Sequence, residues 1–335
     1  YLMSPLQKCI LNKDKSIKPI WLMRQAGRYL PEFRKIRQKN KNFVSLCLNK
    51  KLVPKITLQP IKRFNFDAAI IFSDILMVPY GLGQKLKFTK GYGPELGDFN
   101  KDLIFRNNKN DFKNQLNPIY ESIKITSNNN LLKNKDLIGF IGAPWTLLVY
   151  MINKKSPKKN IKKNFFSKAN NLDGILDLLK EFLKIHIINQ VKSGATVIQI
   201  FDSWAGLLEE KDLEKYVYQP TKEIVEFTKK LNIPTICFPR NIKNYKKYVS
   251  RVNPDVINID FNIDPLQIIK DITIPVQGGL DPKLLLGNKD NLKKNVKKYK
   301  DIFKDHPYIF NLGHGVLPET NPDMVKYLIE FIKDN

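Results

Sequence analysis

Two arginines four residues apart are the first side chains in this sequence that could do recognisable chemistry. Arg24 and Arg28 flank Gly27 within residues 19–34, Pro-Ile-Trp-Leu-Met-Arg-Gln-Ala-Gly-Arg-Tyr-Leu-Pro-Glu-Phe-Arg. A guanidinium group can bind a carboxylate through two parallel hydrogen bonds, so this loop suits a ligand with several carboxylates. Arg37, further along, is a candidate for one more such contact. The alternative is a helix whose arginines pair with surface glutamates.

An aspartate follows an apolar run in residues 70–76, Ile-Ile-Phe-Ser-Asp-Ile-Leu. We expect the carboxylate of Asp74 to lie in a poorly hydrated setting, because apolar residues surround it in the chain. A lone buried anion costs free energy unless it is paired or has a task, so Asp74 is a candidate functional charge. The alternative is an N-cap for the next turn.

Two later segments carry hydroxyl groups at the ends of apolar runs. Tyr150 closes the segment 139–151, although a buried tyrosine is also common in protein cores. Ser203 lies in Gln-Ile-Phe-Asp-Ser-Trp-Ala-Gly, residues 199–206, with no GxSxG elbow around it and no histidine nearby. It is therefore interpreted as a hydrogen-bond donor and not as a nucleophile, and the adjacent Asp202 is compatible with a strand-end cap.

The sequence has three histidines, and their settings differ. His186 lies in a segment with helical periodicity, and His306 precedes a proline in a polar turn. Only His314 has glycine on both sides, in Asn-Leu-Gly-His-Gly. Flanking glycines allow a close approach of backbone and ligand, so a functional role is predicted for His314.

The elements that would position these residues are short β-rich apolar runs separated by segments of helical periodicity. Nearly continuous apolar character is typical of strands buried on both faces. The clearest helical segments are 175–191, 213–231 and 321–332, and longer excursions occupy 81–130 and 153–171. The apolar runs are 19–23, 68–74, 138–144, 196–203, 234–239, 256–260, 275–279 and 308–315.

Eight alternations of strand and helix without a dividing linker predict an α/β fold, a single (β/α)8 TIM barrel covering residues 1–335. A doubly wound open sheet is the alternative, but no GxGxxG motif follows the first strand. Active sites of such barrels lie where the strands end. Arg24, Arg28, Asp74, Ser203 and His314 lie at or just after the ends of predicted strands. They should therefore meet at the end of the barrel where the strands end, which is called the mouth below.

The formal net charge of +25 raises the possibility of nucleic-acid binding. Much of the excess is lysine interspersed with asparagine, without the aromatic residues of a base-stacking surface, so no nucleic-acid partner is expected. A general positive field would equally attract a small polyanion.

The cysteines and the apolar runs indicate the compartment of the protein and whether it has metal sites or membrane spans. Cys9, Cys47 and Cys237 show no metal-binding or disulfide spacing, which favours a reducing compartment and predicts no metal site. No run is long enough to cross a membrane, and no signal peptide is apparent. Because the chain begins with Tyr and not with Met, we expect a few residues upstream.

Taken in order, these segments closely resemble the uroporphyrinogen decarboxylase family. The resemblance implies a cofactor-free, cytoplasmic, homodimeric (β/α)8 barrel enzyme of haem biosynthesis. It also implies a tetrapyrrole substrate, uroporphyrinogen III, which is converted to coproporphyrinogen III by four successive decarboxylations of acetate groups. The matching blocks are Met-Arg-Gln-Ala-Gly-Arg-Tyr-Leu-Pro-Glu, Phe-Ser-Asp-Ile-Leu, Gly-Ala-Pro-Trp-Thr-Leu, Phe-Asp-Ser-Trp-Ala-Gly, Val-Gln-Gly-Gly-Leu-Asp-Pro and Asn-Leu-Gly-His-Gly.

The resemblance also implies roles for individual residues. Asp74 would contact the central pyrrole N–H groups and act in catalysis together with Arg24 and Arg28. The residues that would hold or line the substrate are Arg24, Gln25, Ala26, Gly27, Arg28, Arg37, Asp74, Tyr150, Ser203 and His314.

Two features depart from the family pattern. The segment 237–241, Cys-Phe-Pro-Arg-Asn, replaces a more glycine-rich, lysine-containing turn, and Asn258 replaces a common glycine. Both are predicted to change the local backbone without touching the site residues. A corrinoid-linked methyltransferase is an alternative on a related barrel, but its zinc-binding His-x-Cys pattern is absent.

Overall fold

A computed structural model describes residues 3–89, 92–100, 102, 104, 106, 108–157, 160, 161, 165–168 and 171–334. Parts of the predicted excursions 81–130 and 153–171, and the ends of the predicted domain, lie outside these residues. The centre of the fold is a curled parallel sheet of seven strands in the order β1-β4-β5-β6-β7-β8-β9. Its strands are β1 (Ala68–Ile70), β4 (Asp136–Gly142), β5 (Val197–Asp202), β6 (Thr235–Pro239), β7 (Val256–Ile259), β8 (Val276–Gly278) and β9 (Tyr308–Ile309).

Seven of the eight predicted strands are therefore confirmed, and the α/β class with them. The described strand residues of this sheet are almost all buried, as expected when helices cover one face and side chains fill the other. Neighbouring strands pair in parallel with Ile138 opposite Val197 and Ile198 opposite Thr235. The strands consequently end at one common edge. A separate antiparallel hairpin is formed by β2 (Leu86–Thr89) and β3 (Gly93–Leu96).

The first predicted strand, 19–23, is not a strand of the sheet, so a closed eight-stranded barrel is not observed. Only Ile20 forms a bridge, to Phe310 beyond the end of β9. The segment nevertheless bonds to both edges of the sheet. The Phe310 N–H donates to Pro19 O at 2.8 Å, and the Asp67 N–H donates to Ile20 O at 3.0 Å. The segment 19–23 thus lies between β1 and β9, where it makes few of the regular backbone hydrogen bonds of a strand.

Helices fill the connections between strands, and the three predicted helical segments are confirmed. Residues 213–231 comprise a one-turn π-helical stretch followed by a regular helix. None of the described helices is long and apolar enough to cross a membrane. Among the described residues, the α- and π-helices of four or more residues are Pro5–Leu11, Pro31–Lys39, Phe43–Cys47, Leu52–Phe64, Met77–Gly81, Lys109–Ser127, Pro144–Asn153, Phe165–Lys168, Leu172–Lys192, Glu210–Leu213, Glu214–Tyr218, Gln219–Lys229, Tyr245–Val252, Pro265–Asp271, Lys289–Ile302 and Pro322–Lys333. A 3-10 helix covers Pro282–Leu286.

Buried amides cross the interior of the sheet and include one of the residues that departs from the family pattern. The Trp21 indole N–H donates to Gln277 Oε1 at 2.8 Å, and Gln277 Nε2 donates to Asn258 Oδ1 at 2.8 Å. The asparagine fits because Gly278, with φ 83°, has no side chain; a Cβ there would lie 2.8 Å from Asn258 Oδ1. Buried polar groups are tolerated when they are bonded in this way.

Candidate active site

The loop that carries the two arginines is tied to the first and last strands of the sheet. Gln25, fully buried, accepts the Leu22 N–H at Oε1 and donates from Nε2 to Ala68 O on β1. The Met23 N–H donates to the side chain of Asn311, which follows β9. These bonds fix the loop before any ligand arrives. Gln25 was predicted to line the substrate, but its side chain is fully engaged within the protein.

Arg24 occupies a backbone conformation that is unfavourable for a residue with a side chain. Its φ of 61° lies in the left-handed region, which costs a residue with a Cβ about 1 kcal/mol or more. The side chain remains open to solvent through the mouth, yet surrounding protein partly desolvates it and lowers its pKa. A Cβ at Gly315 would collide with Cδ of Arg24. The absence of that side chain therefore leaves room for the arginine.

Asp74 lies opposite Arg24 and keeps one oxygen available. Its Oδ1 accepts the Leu76 N–H at 2.8 Å, so the predicted capping role is correct for that atom. Among the described residues, Oδ2 accepts no hydrogen bond. Burial raises the pKa of Asp74 to about 6, against the opposing effects of the Leu76 N–H and the Arg24 charge. The group is thus an anion near neutral pH, held in a poorly hydrated place.

Tyr150 and His314 face the same charges and are both uncharged at neutral pH. Burial, followed by the Asp74 charge, raises the pKa of Tyr150 to about 12. Burial and the charges of Arg240 and Arg24 lower the pKa of His314 to about 4. His314 Nδ1 accepts the Gly315 N–H at 2.7 Å, which leaves the proton on Nε2. Each side chain therefore presents a neutral hydrogen-bond donor.

Ser203 and Asp202 follow one another at the end of β5. Ser203 is half-buried, whereas Asp202 is 1% exposed and accepts the Thr146 hydroxyl at 2.6 Å. Burial raises the pKa of Asp202 to about 7. Asp202 thus has a defined structural partner. The Ser203 hydroxyl remains a predicted hydrogen-bond donor.

The remaining predicted contacts are placed less centrally. Arg28 is exposed beside Arg24, whose pKa its charge lowers. Arg37 donates to Asn40 O and lies over the Phe43 ring, 5.5 Å from its centroid, so it already has partners within the protein. The half-buried Ala26 and Gly27 form the backbone of the loop between the two arginines that flank them.

Arg240 is a charged residue near the candidate site that the sequence analysis did not single out. The segment 237–241 was predicted to change the local backbone without touching the site residues, and this stays a prediction. Arg240 follows β6 and its charge lowers the pKa of Arg24, Tyr150 and His314. Its position directly after a predicted strand was the signal that could have identified it.

The other histidines and the cysteines have structural settings. His186 is buried with its Nδ1 3.0 Å from the Tyr120 hydroxyl, and His306 Nε2 lies 2.9 Å from Ile274 O. All three cysteines are buried. Within the part of the chain that the structure describes, no three His, Cys, Asp or Glu side chains cluster as metal ligands would.

The chain is similar to known proteins over nearly its whole length. The family model for uroporphyrinogen decarboxylase (URO-D) matches residues 3–335. A uroporphyrinogen decarboxylase from Rickettsia felis is 41% identical over 330 residues, covering 96% of this chain and 95% of its own. One from Rickettsia bellii is 42% identical over 323 residues, covering 94% of each chain.

A solved methyltransferase from Methanosarcina mazei superimposes with a TM-score of 0.73 at 17% identity, covering 98% of this chain and 97% of its own. At that identity the likeness concerns the fold alone. The match to the decarboxylases covers nearly the whole sequence at much higher identity. This chain therefore belongs to the uroporphyrinogen decarboxylase family.

Proposed function

We propose that this chain is a carboxy-lyase of haem biosynthesis that converts uroporphyrinogen III to coproporphyrinogen III, releasing four acetate carboxylates as carbon dioxide. The observation that carries the proposal is one partly desolvated anion, Asp74, set among the cationic groups of the mouth. Family membership over nearly the whole chain supports the same activity.

The chemistry requires a place for the electrons left behind when carbon dioxide departs. Protonation of the pyrrole carbon next to the acetate group makes a cationic ring that can accept them, so the ring itself serves as the electron sink. Asp74 stabilises that cation, because opposite charges interact more strongly in a poorly hydrated cleft than in water. Its Oδ2 accepts no hydrogen bond among the described residues and is therefore left for the pyrrole N–H groups.

The cationic and neutral donors have a different task from Asp74. Arg24 and Arg28 hold acetate and propionate carboxylates, and this explains why the mouth carries an excess of positive charge. His314 donates from Nε2 and Tyr150 from its hydroxyl, since both are protonated and uncharged at neutral pH. The Ser203 hydroxyl is a further hydrogen-bond donor to the substrate. Arg37 binds a substrate carboxylate at the periphery of the site.

The architecture and assembly extend the same proposal. Residues 19–23 complete an eighth position of a single (β/α)8 barrel domain, supported by their backbone bonds to Phe310 and Asp67. The protein acts without a cofactor, as a homodimer in the cytoplasm, as the family resemblance implies.

Anaerobic incubation with uroporphyrinogen III tests the activity directly. We expect the product to carry four fewer carboxylates than the substrate, as counted by chromatography after oxidation to the porphyrin. Recovery of unchanged substrate would reject the proposed function. Binding without turnover would instead indicate a tetrapyrrole carrier.

Replacing Arg28 by alanine should weaken substrate binding. We expect KM to rise about 10- to 100-fold, because a hydrogen-bonded charge pair contributes about 1.5–3 kcal/mol. A smaller fall in kcat should accompany it. Steady-state kinetics under anaerobic conditions measure both. Unchanged kcat and KM would identify Arg28 as a surface charge without a role in binding.

The pH dependence of kcat/KM should report Asp74. The carboxylate must be ionised, so kcat/KM should fall about tenfold per pH unit below pH 6 and level off above it. Asp202, whose pKa is raised to about 7, also titrates near this range. In the Asp74→Asn variant the step near pH 6 should disappear while any step near pH 7 persists. A flat wild-type profile between pH 5 and 7.5 would contradict the assignment.

A further inference from the structure

Arg240 combines a fixed backbone with an incompletely satisfied side chain at the edge where the strands end. Its N–H donates to Asp202 O at 3.0 Å and its carbonyl accepts the Gly206 N–H at 3.0 Å, which ties it to the loop after β5. The side chain is 25% exposed. The guanidinium is therefore delivered to the mouth by a backbone that cannot easily shift.

The buried carboxylate of Asp260 lies beside the Arg240 guanidinium. Asp260 is 1% exposed, and its Oδ2 accepts the Asn241 N–H at 2.7 Å and the Tyr245 hydroxyl at 2.9 Å. Its Oδ1 lies 3.7 Å from Nε of Arg240, and neither atom has a hydrogen-bond partner among the described residues. The pair is electrostatic and loose, so the guanidinium keeps donors that the protein does not use.

The anchor of Arg240 adjoins the His314 loop. A Cβ at Gly313 would lie 2.7 Å from the backbone carbon of Asp260 and would collide with Phe261 N. Gly315, two residues later, packs against the side chain of Arg24. One short glycine-containing loop therefore contacts the Asp260 backbone on one side and Arg24 on the other, with His314 between them.

We propose that Arg240 is a third guanidinium of the substrate site, placed beside the buried Asp260 and free to bind a substrate carboxylate. The inference rests on the proposed function for the identity of its ligand, a tetrapyrrole polycarboxylate. The charge of Arg240 already acts on Arg24, Tyr150 and His314 across the mouth, which supports this placement. An arginine on a fixed backbone and beside a buried carboxylate is partly preorganised for bidentate carboxylate binding.

Arg240→Gln and Arg240→Lys test the inference, with Arg251→Gln as the matched control. Arg251 is a half-exposed helix residue paired with Glu214, outside the mouth. We expect Arg240→Gln to raise KM about 10- to 100-fold while kcat changes only a few fold, the loss of one charged hydrogen-bonded contact. Arg240→Lys should recover part of that loss, and Arg251→Gln should leave KM unchanged.

A binding titration separates this inference from the proposed function. Uroporphyrin, the fluorescent oxidised form of the substrate, keeps all the carboxylates and reports a Kd without turnover. If the wild type binds it but does not decarboxylate uroporphyrinogen, the proposed function fails, and a Kd weakened in Arg240→Gln still supports the inference. If the wild type does not bind uroporphyrin, the KM of Arg240→Gln for uroporphyrinogen decides the inference, and an unchanged KM rejects it. The decarboxylation assay alone decides the proposed function.

The opposite result is expected if the ion pair of Arg240 with Asp260 is purely structural. Arg240→Gln would then lower Tm but leave KM and Kd within about twofold of wild type, and that result overturns the inference. Should Arg240→Gln fail to fold, Arg240→Lys decides the matter, because it keeps the charge against Asp260 but loses the planar fork. We expect the Kd of Arg240→Lys for uroporphyrin to rise about threefold to tenfold. An unchanged Kd rejects the role of Arg240.

Discussion

Replacing Asp74 by asparagine is expected to lower kcat about 10²- to 10³-fold, with a much smaller change in KM. That is the range found when one preorganised electrostatic group is lost from a site. Asparagine keeps the shape and still accepts the Leu76 N–H, so only the charge is removed. Because the cation on the pyrrole exists only as the reaction proceeds, the loss should fall on kcat. Single-turnover kinetics with uroporphyrinogen III measure it.

The same variant should be more stable than the wild type, which makes misfolding an unsuitable explanation for its lost activity. Burial raises the pKa of Asp74 to about 6, so the folded protein loses stability as the pH rises from about 4 through 6 and the carboxyl ionises. At pH 7.5 a neutral asparagine should raise the free energy of unfolding by about 1–2 kcal/mol, discounted for partial solvent access. Near-normal kcat in a stable Asp74→Asn protein would remove Asp74 from the mechanism.

The edge of the sheet at which the candidate residues lie could be predicted because the sheet imposes a simple rule. Buried parallel strands leave continuous apolar runs in the sequence, and their carboxyl ends share one edge. Asp74, Ser203 and His314 each follow such a run. The rule depends only on where a strand ends and not on what the side chain then contacts.

Side-chain contacts escaped prediction because they depend on how distant segments pack. The Gln25 amide bonds to Leu22 and Ala68 within the protein, in a loop that contains a left-handed residue at Arg24. No local sequence pattern indicates that loop conformation. Arg240 lies in a segment that departs from the family pattern. Its proposed role depends on Asp260, which is twenty residues away and directly follows β7. The segment 19–23 bonds to both edges of the sheet mainly outside regular ladders, which its apolar pattern could not indicate.

Replacing Arg24 by glycine should abolish most of the activity without harming the fold. The φ of 61° is a conformation that glycine adopts freely, so relief of strain offsets the greater freedom of glycine in the unfolded chain. Tm should be unchanged or slightly raised. The guanidinium makes charged contacts in a partly desolvated mouth, and its loss should reduce kcat/KM about 10²- to 10³-fold. Anaerobic kinetics and a thermal melt on one preparation measure both effects.

Lys13→Gly is the matched control for this experiment. Lys13 also has a positive φ, 51°, and is an exposed cation, so the substitution relieves the same strain and removes the same charge far from the mouth. Its kcat/KM should equal that of the wild type. If the two glycine variants lose activity equally, general charge accounts for the effect. If Arg24→Gly alone loses activity while its Tm holds, the strained backbone at position 24 exists to present the guanidinium to a carboxylate.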